Sequence, residues 1–353
     1  MKKPIIICLC LLLALPVGCA KERKKRYQAE FLYLFDTVTT IVGYSDSKEN
    51  FTALAEQIRS KLQEYHELYD IYNDYEGINN IKTINDNAGI APVVVDERII
   101  SMLLFAKKQY DATGGAVNIA FGAVLNIWHE YREAGLDDPP NAAVPPMELL
   151  VQASKHTDID DLIIEPEAST VYLRDPFMRL DVGAVAKGYA TEQAALFFEN
   201  KGIQSLLISV GGNVRAIGGK LSDETGEGIF WNIGIQNPDK SSPDTELMSV
   251  LISDCSLVSS GSYERYYTVD GVQYHHIIDT ETLMPSLYFI EVSIICPDSG
   301  MADALSTAIF NMPLDEGRAY IEVLANTEAL WVLCDGTIEV SSGFNGYVKI
   351  SSE

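Results

Sequence analysis

The chain has 353 residues, 47% of them hydrophobic and 22% charged, and its 26 Lys and Arg against 50 Asp and Glu give a formal charge of −24. That acidity repels a phosphate backbone and excludes nucleic acid as the principal partner. The hydrophobic fraction, with no long Pro/Ser-rich linker, fits one large globular unit or two closely packed lobes.

The chain opens on Lys2 and Lys3, an apolar run over 5–15, and Pro16, Val17, Gly18 and Cys19. The run is shorter than the roughly 20 residues a bilayer requires, so it reads as a signal peptide and not as a spanning helix. Small residues before a cysteine resemble the lipobox of bacterial lipoproteins, with Pro16 where leucine is usual. Residues 1–18 are therefore read as a lipoprotein signal, Cys19 as the lipidated residue, 19–30 as a membrane-proximal tether and 31–353 as the folded domain. This places the domain on the extracytoplasmic face of the cell membrane. Loss of Lys2 and Lys3 takes the formal charge from −24 to −26. Cys8 and Cys10 leave with the signal. Cys255, Cys296 and Cys334 lie in apolar surroundings without CxxC spacing and read as buried structural residues.

Phe51, Leu54, Ile58, Leu62 and Tyr65 recur at helical spacing, with Asn50 as the expected N-cap. A second helix is expected over 99–110 behind Asp96. Residues 72–77 and 85–89 are polar and loop-like, and Pro139, Pro140, Pro145 and Pro146 bracket an irregular excursion after Trp128. Strands are expected over 206–210, 230–235 and 247–252, and 266–269 and 272–278 flank Asp270 and Gly271 as a hairpin. Helices over 302–310 and 314–324 precede strands over 329–333, 337–340 and 347–350. Helices mixed with antiparallel hairpins, without a repeating βαβ unit, predict an α+β fold of largely antiparallel sheets with flanking helices.

The densest chemistry lies in Asp181, Gly183, Lys187 and Gly188, between a strand-like run punctuated by Tyr172, Phe177 and Leu180 and a helix over 189–198. A helix N-terminus beside glycine and lysine suits an anion, phosphate first. An ordinary βα turn with a surface lysine is the equal alternative. Gly211 and Gly212, before Asn213, allow close backbone approach to a ligand. His275 and His276 face opposite sides of a strand, so only one of them can enter a shared site. His66, His129 and His156 lack ligand spacing and receive no role. Asp303 and Thr307 lie one helical turn apart, and hard oxygens in that relation suit Mg²⁺; a surface or capping pair is the plain alternative.

In their order and spacing, five motifs resemble the ApbE family, the FAD:protein FMN transferases long labelled thiamine biosynthesis lipoproteins. They are Asp181-x-Gly183-x-x-Ala186-Lys187-Gly188; Gly211–Gly212–Asn213; Ser259 to Arg265; His276–Ile277–Ile278–Asp279; and Ala302 to Thr307. The resemblance runs from about Phe35 to the C-terminus. It implies an ApbE-like, T-fold-related single unit of two lobes. Phe35 and Tyr72 would contact flavin, as would Ala116, Val117 and Asn118, the last standing where the family has aspartate. Asp181, Lys187, Gly211, Gly212 and Ile277 would complete the FAD site. The Ala184 carbonyl, Asp303 and Thr307 would hold Mg²⁺. His276 would act as general base or orient the acceptor hydroxyl, with Asp279 orienting that imidazole or assisting the metal. The family's His-x-x-Asp-Pro-x-Thr-Gly-x-Pro motif carries Thr280 and Leu283 here in place of proline and glycine.

The implied activity is transfer of FMN from FAD to a Thr or Ser hydroxyl with release of AMP. By the same resemblance the acceptor would be an extracytoplasmic protein of a membrane redox complex, of the Rnf or sodium-translocating NADH:quinone reductase type. A Ser/Thr-Gly-Ala-Thr-like acceptor motif is absent from the chain. A flavin-binding lipoprotein, an FAD pyrophosphatase and a non-enzymatic surface lipoprotein stand as alternatives.

Overall fold

In the computed structural model, which describes residues 24–222 and 228–350, an eight-stranded sheet is laid down in chain order. Its strands are β1 (Lys25–Leu34), β2 (Thr37–Ser45), β3 (Leu206–Val210), β4 (Asn213–Ile217), β5 (Ser256–Gly261), β6 (Phe289–Cys296), β7 (Glu328–Leu333) and β8 (Ile338–Val340). Every neighbouring pair is antiparallel. The β1–β2 and β3–β4 links are two-residue turns, Phe35–Asp36 and Gly211–Gly212, and all four residues have positive φ, between 52° and 89°. Such turns match the twist of the strands they join. The glycines take that conformation freely, whereas Phe35 and Asp36 take it against their β-carbons.

The remaining elements are insertions between these strands. Between β2 and β3 run α1 (Lys48–Tyr69), α2 (Ile81–Asp86), α3 (Glu97–Ala112), α4 (Gly122–Asp137), α5 (Met147–Ala153) and α6 (Ala186–Asn200), together with a three-stranded sheet of Val93–Val94, Thr170–Leu173 and Leu162–Glu165. A ribbon of Trp231–Gln236 against Glu246–Ile252 separates β4 from β5, and the hairpin Tyr266–Val269/Val272–His275 separates β5 from β6. Helices α7 (Ser299–Phe310) and α8 (Leu314–Glu322) separate β6 from β7.

Strand alternation gives the sheet two buried faces. On one, Ile41, Ile208 and Val210 pack against Ile58 and Leu62 of α1 and Phe198 of α6, and Val258, Val292 and Ile294 pack against Leu305 and Ile309 of α7. On the other, Leu257, Ile295 and Leu330 meet Trp231, Ile235 and Val250 of the ribbon and Phe344. Each such side chain contributes about 1.5–3 kcal/mol on burial. This is the α+β, largely antiparallel architecture the sequence predicts.

Several expectations are corrected. Helix α1 starts two residues before Asn50: Ser47 is the N-cap, and its hydroxyl accepts from the Asn50 amide at 3.1 Å. Strand β1 begins at Lys25, inside the stretch read as a tether, because Tyr27 stacks on Phe51 at 5.5 Å and the backbone pairs with β2 from Lys25 onward. The signal sequence and Cys19 lie outside the described residues. Asn85 and Asp86 close α2 instead of opening a loop, since Asn80 and Thr83 form a reciprocal cap at its start. Helix α4 runs through Trp128 to Asp137, and the proline-bracketed stretch after it is irregular as expected, apart from a single 3-10 turn at Pro139–Asn141. Residues 347–350 form no strand; Val348 makes a single bridge to Val250. Cys255 and Cys296 are buried, but Cys334 is exposed, its thiol donating to the Leu287 carbonyl.

Candidate active site

A cavity of about 740 Å³ lies where β2 to β5 meet α1, α4, α6 and α7. Asp181 is brought to its wall by backbone pairing. Its N–H donates to the Ile119 carbonyl at 2.9 Å, and Phe121 bridges Arg179. Gly122 permits this approach, because a Cβ there would sit 2.4 Å from the Arg179 oxygen. One residue before Asp181, the buried Asn85 side chain accepts from the Leu180 N–H at 2.7 Å and donates to its carbonyl at 2.9 Å. The Gly183 N–H then turns the Asp181 carboxylate, at 2.9 Å. Burial raises the Asp181 pKa, against the lowering effect of that N–H and of His129, Arg132 and Arg265.

The junction is not the direct strand-to-helix turn expected from sequence. The strand ends at Leu173, and α6 starts only at Ala186. Gly188 lies so close to α7 that a Cβ would sit 2.3 Å from the Ser299 oxygen and 2.4 Å from the Asp303 Cβ. This crossing lets Asp303 Oδ2 accept from the Gly188 N–H at 2.8 Å while Oδ1 lies 3.6 Å from Lys187 Nζ. The helix terminus is thus partly occupied by a carboxylate, and the positive charge available to an anion comes from side chains. Lys187, Arg132 and Arg265 all line the cavity.

Ala184, Asp303 and Thr307 line the same cavity. Among the described residues no three His, Cys, Asp or Glu side chains gather as a metal cluster. A cation here would have one carboxylate, with a hydroxyl and a carbonyl as further donors. That set of hard oxygens fits Mg²⁺, which keeps several waters, and does not fit zinc.

The other expected residues converge as well. Phe35 donates its N–H to His66 Nδ1 at 3.2 Å and meets that ring edge-on at 5.5 Å. Tyr72, half exposed, lies over His129 with ring centroids 5.2 Å apart; burial, then the Asp181 charge, pushes its hydroxyl up to about 12. Ala116, Val117 and Asn118 form one stretch of wall. The Asn118 amide is spent on the fold, donating to the Thr157 carbonyl and accepting from the Ala120 N–H, both at 2.9 Å. Gly211 and Gly212 reach the cavity at the β3–β4 turn, and a Cβ on Gly211 would sit 2.5 Å from the Thr37 hydroxyl. Ile277 is a buried part of the lining.

The strand ends at His275 and both histidines border the cavity, so alternation along a strand does not separate them; their hydrogen bonds do. His275 is structural: Nε2 bonds the Ser286 carbonyl at 2.8 Å and Nδ1 accepts from the Ile277 N–H. His276 lines the cavity, and its buried Nδ1 has no hydrogen-bond partner. Burial, reinforced by Arg265, His275, Arg132 and Lys187, lowers its pKa to about 3. Asp279 alone among the expected residues is not in the lining. Its Oδ1 accepts from the Glu281 and Thr282 N–H groups, so it shapes the turn and does not orient His276. Leu283 adopts φ 61°, the conformation that glycine favours. Its cost, about 1–3 kcal/mol, is offset by burial against Phe121 and Val124 and by the Trp128 Nε1 bond to its carbonyl at 2.9 Å.

Sequence reasoning missed His66, His129, Arg132 and Asn85. The signal for α4 was present: Phe121, Leu125, Trp128, His129 and Arg132 follow helical spacing and all line the cavity.

An antiparallel α+β scaffold with basic side chains around a carboxylate–hydroxyl pair is suited to a phosphorylated ligand. The ApbE family profile matches residues 35–331. The FAD:protein FMN transferase of Treponema pallidum is 33% identical over 307 residues, covering 84% of this chain and 82% of that protein. The Klebsiella pneumoniae protein of the same name is 28% identical over 82% of this chain and 85% of its own length. The solved ApbE protein of Thermotoga maritima superposes with a TM-score of 0.78 at 29% identity, covering 92% of this chain and all of that one. The Vibrio cholerae flavin transferase ApbE, at 23% identity and a TM-score of 0.73 over 92% of this chain and 99% of its own, shares the fold. The chain belongs to the ApbE family, and it is a transferase.

Proposed function

We propose that this protein is an Mg²⁺-dependent FAD:protein FMN transferase, anchored by lipid on Cys19 at the extracytoplasmic face of the membrane. A Thr or Ser hydroxyl of an acceptor protein attacks the FMN-side phosphorus of FAD. The bond to the bridging oxygen breaks, AMP leaves, and FMN stays on the acceptor as a phosphoester. The observation that carries this reading is the convergence on one cavity of Lys187, His276, Asp303 and Thr307, from three separate segments of the chain. The names of the relatives support it.

Phosphoryl transfer depends mainly on alignment and charge neutralisation. Lys187, Arg132 and Arg265 supply positive charge against the pyrophosphate, and Phe35 and Tyr72 offer aromatic surface to the flavin. Mg²⁺ held by Asp303, Thr307 and the Ala184 carbonyl would neutralise charge that builds on the phosphate oxygens. In the free cavity His276 is a weak base, because burial and three nearby cations oppose its protonation. A bound dianionic pyrophosphate offsets those cations and raises the ring's proton affinity. The imidazole then accepts the hydroxyl proton when substrate is in place. The acceptor is an extracytoplasmic subunit of a redox complex, of the Rnf or sodium-translocating NADH:quinone reductase type.

The test is incubation with FAD, Mg²⁺ and such a subunit, followed by denaturing electrophoresis. Flavin fluorescence on the acceptor band supports the proposal, while an unlabelled band beside consumed FAD would establish a hydrolase instead.

A further inference from the structure

Behind the cavity wall lies a buried acid that the reaction above does not use. Glu291 on β6 is fully buried, and no cation pairs with it among the described residues. Its Oε1 bonds the Ser293 hydroxyl at 3.0 Å and its Oε2 the Tyr263 hydroxyl at 3.1 Å. The Ser293 hydroxyl in turn lies 2.6 Å from that of Ser259, its cross-strand partner on β5. Ser259 and Tyr263 line the cavity. Gly261, directly opposite Glu291, leaves room for the Tyr263 ring, since a Cβ there would sit 2.5 Å from it. A hydrogen-bonded chain therefore leads from a buried carboxyl through Ser293 to Ser259 in the cavity wall.

The direction of that chain has two states. With Glu291 ionised, Tyr263 and Ser293 donate to it, Ser259 donates to Ser293, and Ser259 can offer the ligand only lone pairs. With the proton on Oε1, Glu291 donates to Ser293, Ser293 donates to Ser259, and Ser259 turns its proton toward the ligand. Tyr263 donates to Oε2 in both states, so the acid keeps its partners and only the polarity at the cavity changes.

We propose that Glu291 is a positioning residue that sets the Ser259 hydroxyl as a hydrogen-bond donor to the bound FAD when protonated and as an acceptor when ionised. The inference rests on FAD as the ligand. FAD brings two ionised phosphates and ring carbonyls, so a donor at Ser259 and one negative charge fewer behind it both favour binding. Burial, with repulsion from Glu264 as a lesser cause, raises the acid to about 7, against the lowering bonds of Ser293, Tyr263 and Ser259. The titratable groups facing it are Tyr263 and Glu264. Its cross-strand partners Gly261 and Val332 carry no charge, and Glu246 of the overlying ribbon is exposed and bonded to Ser249.

The experiment is FAD affinity of the full chain, followed by flavin fluorescence between about pH 6 and about pH 8.5, for wild type, Glu291→Gln and Ser259→Ala. Wild-type affinity is expected to fall about tenfold across that range, with proton uptake on binding above about pH 7. Glu291→Gln donates its amide N–H to Ser293 at every pH, so it should bind at the acid-limit affinity with no pH dependence. Ser259→Ala severs the chain but leaves the titrating carboxyl, so it should lose the donor part of the dependence, binding more weakly than wild type at acid pH with a shallower profile that reflects the charge alone. A flat wild-type profile, or the wild-type slope retained in both variants, overturns the inference while leaving FAD as ligand. Absence of FAD binding at every pH overturns the functional reading and this inference with it.

Discussion

Replacing Gly188 by alanine sets two terms of opposite sign against each other. Helix propensity favours alanine by up to about 1 kcal/mol, and the position is in the first turn of α6, where nothing in the backbone φ forbids a side chain. Against this, the new Cβ would sit 2.3 Å from the Ser299 carbonyl oxygen and 2.4 Å from the Asp303 Cβ. Relief requires α6 and α7 to part. Ser299 resists, because its N–H donates to Glu192 Oε2 at 2.8 Å, and that carboxylate is also paired with Arg215 at 2.9 Å, all of it buried. Overpacking of this kind costs about 1–3 kcal/mol, and lengthening the Gly188–Asp303 bond adds about 1–2 kcal/mol. The net expectation, after the propensity gain is subtracted, is destabilisation by about 1–4 kcal/mol, read as a lower urea midpoint at unchanged slope. FMN transfer, assayed where the variant is folded, should fall more than about tenfold, since Asp303 is displaced from Lys187 and Thr307. An alanine variant as stable as wild type and fully active would refute the claim that this contact positions Asp303.

Asn85→Ala leaves the Leu180 N–H and carbonyl without their buried partners, which should cost about 2–4 kcal/mol by urea unfolding and weaken FAD binding through the loosened Asp181 loop. Asp303→Asn retains an acceptor for the Gly188 N–H but removes the charge, so stability should change by less than about 1 kcal/mol while transfer falls at least about a hundredfold. Isothermal titration with Mg²⁺ should show weakened cation binding in the same variant. His276 has a folded pKa near 3, below its unfolded value of about 6.5. Between those pH values the unfolded chain binds the extra proton, so this group's contribution to stability is complete above about pH 6.5 and is lost as the pH falls. His276→Gln should shallow the acid side of the stability profile, measured by urea midpoint against pH.

Long amphipathic runs were legible because their periodicity is set by the core they face. The buried stripe of α1 and the strands at 206–210 and 247–252 follow directly from it. Strands β1 and β2 were not: Tyr27, Ala29 and Phe31 do alternate with Gln28 and Glu30, but that run sits beside the basic stretch read as a tether, and its pairing is decided across the sheet. The site was legible as motifs in order, and every expected site residue except Asp279 lines one cavity. What escaped were functions that exist only through distant contacts. Asn85 looks like a loop residue until it meets Leu180, 95 positions away. Glu291, in a strand whose only other polar side chain is Ser293, becomes chemically meaningful only beside Tyr263 and Ser259. Asp279 shows the converse: the motif was present, but its carboxylate was already committed to the turn.

The central claim, transfer of FMN and not mere binding or hydrolysis, is tested most directly by intact-mass spectrometry. The acceptor subunit is weighed after incubation with the protein, FAD and Mg²⁺, and AMP is quantified in the same mixture. The account predicts an acceptor heavier by one FMN phosphoester and one AMP released for each acceptor modified. An acceptor of unchanged mass beside free FMN and AMP, or FAD left intact, would contradict it.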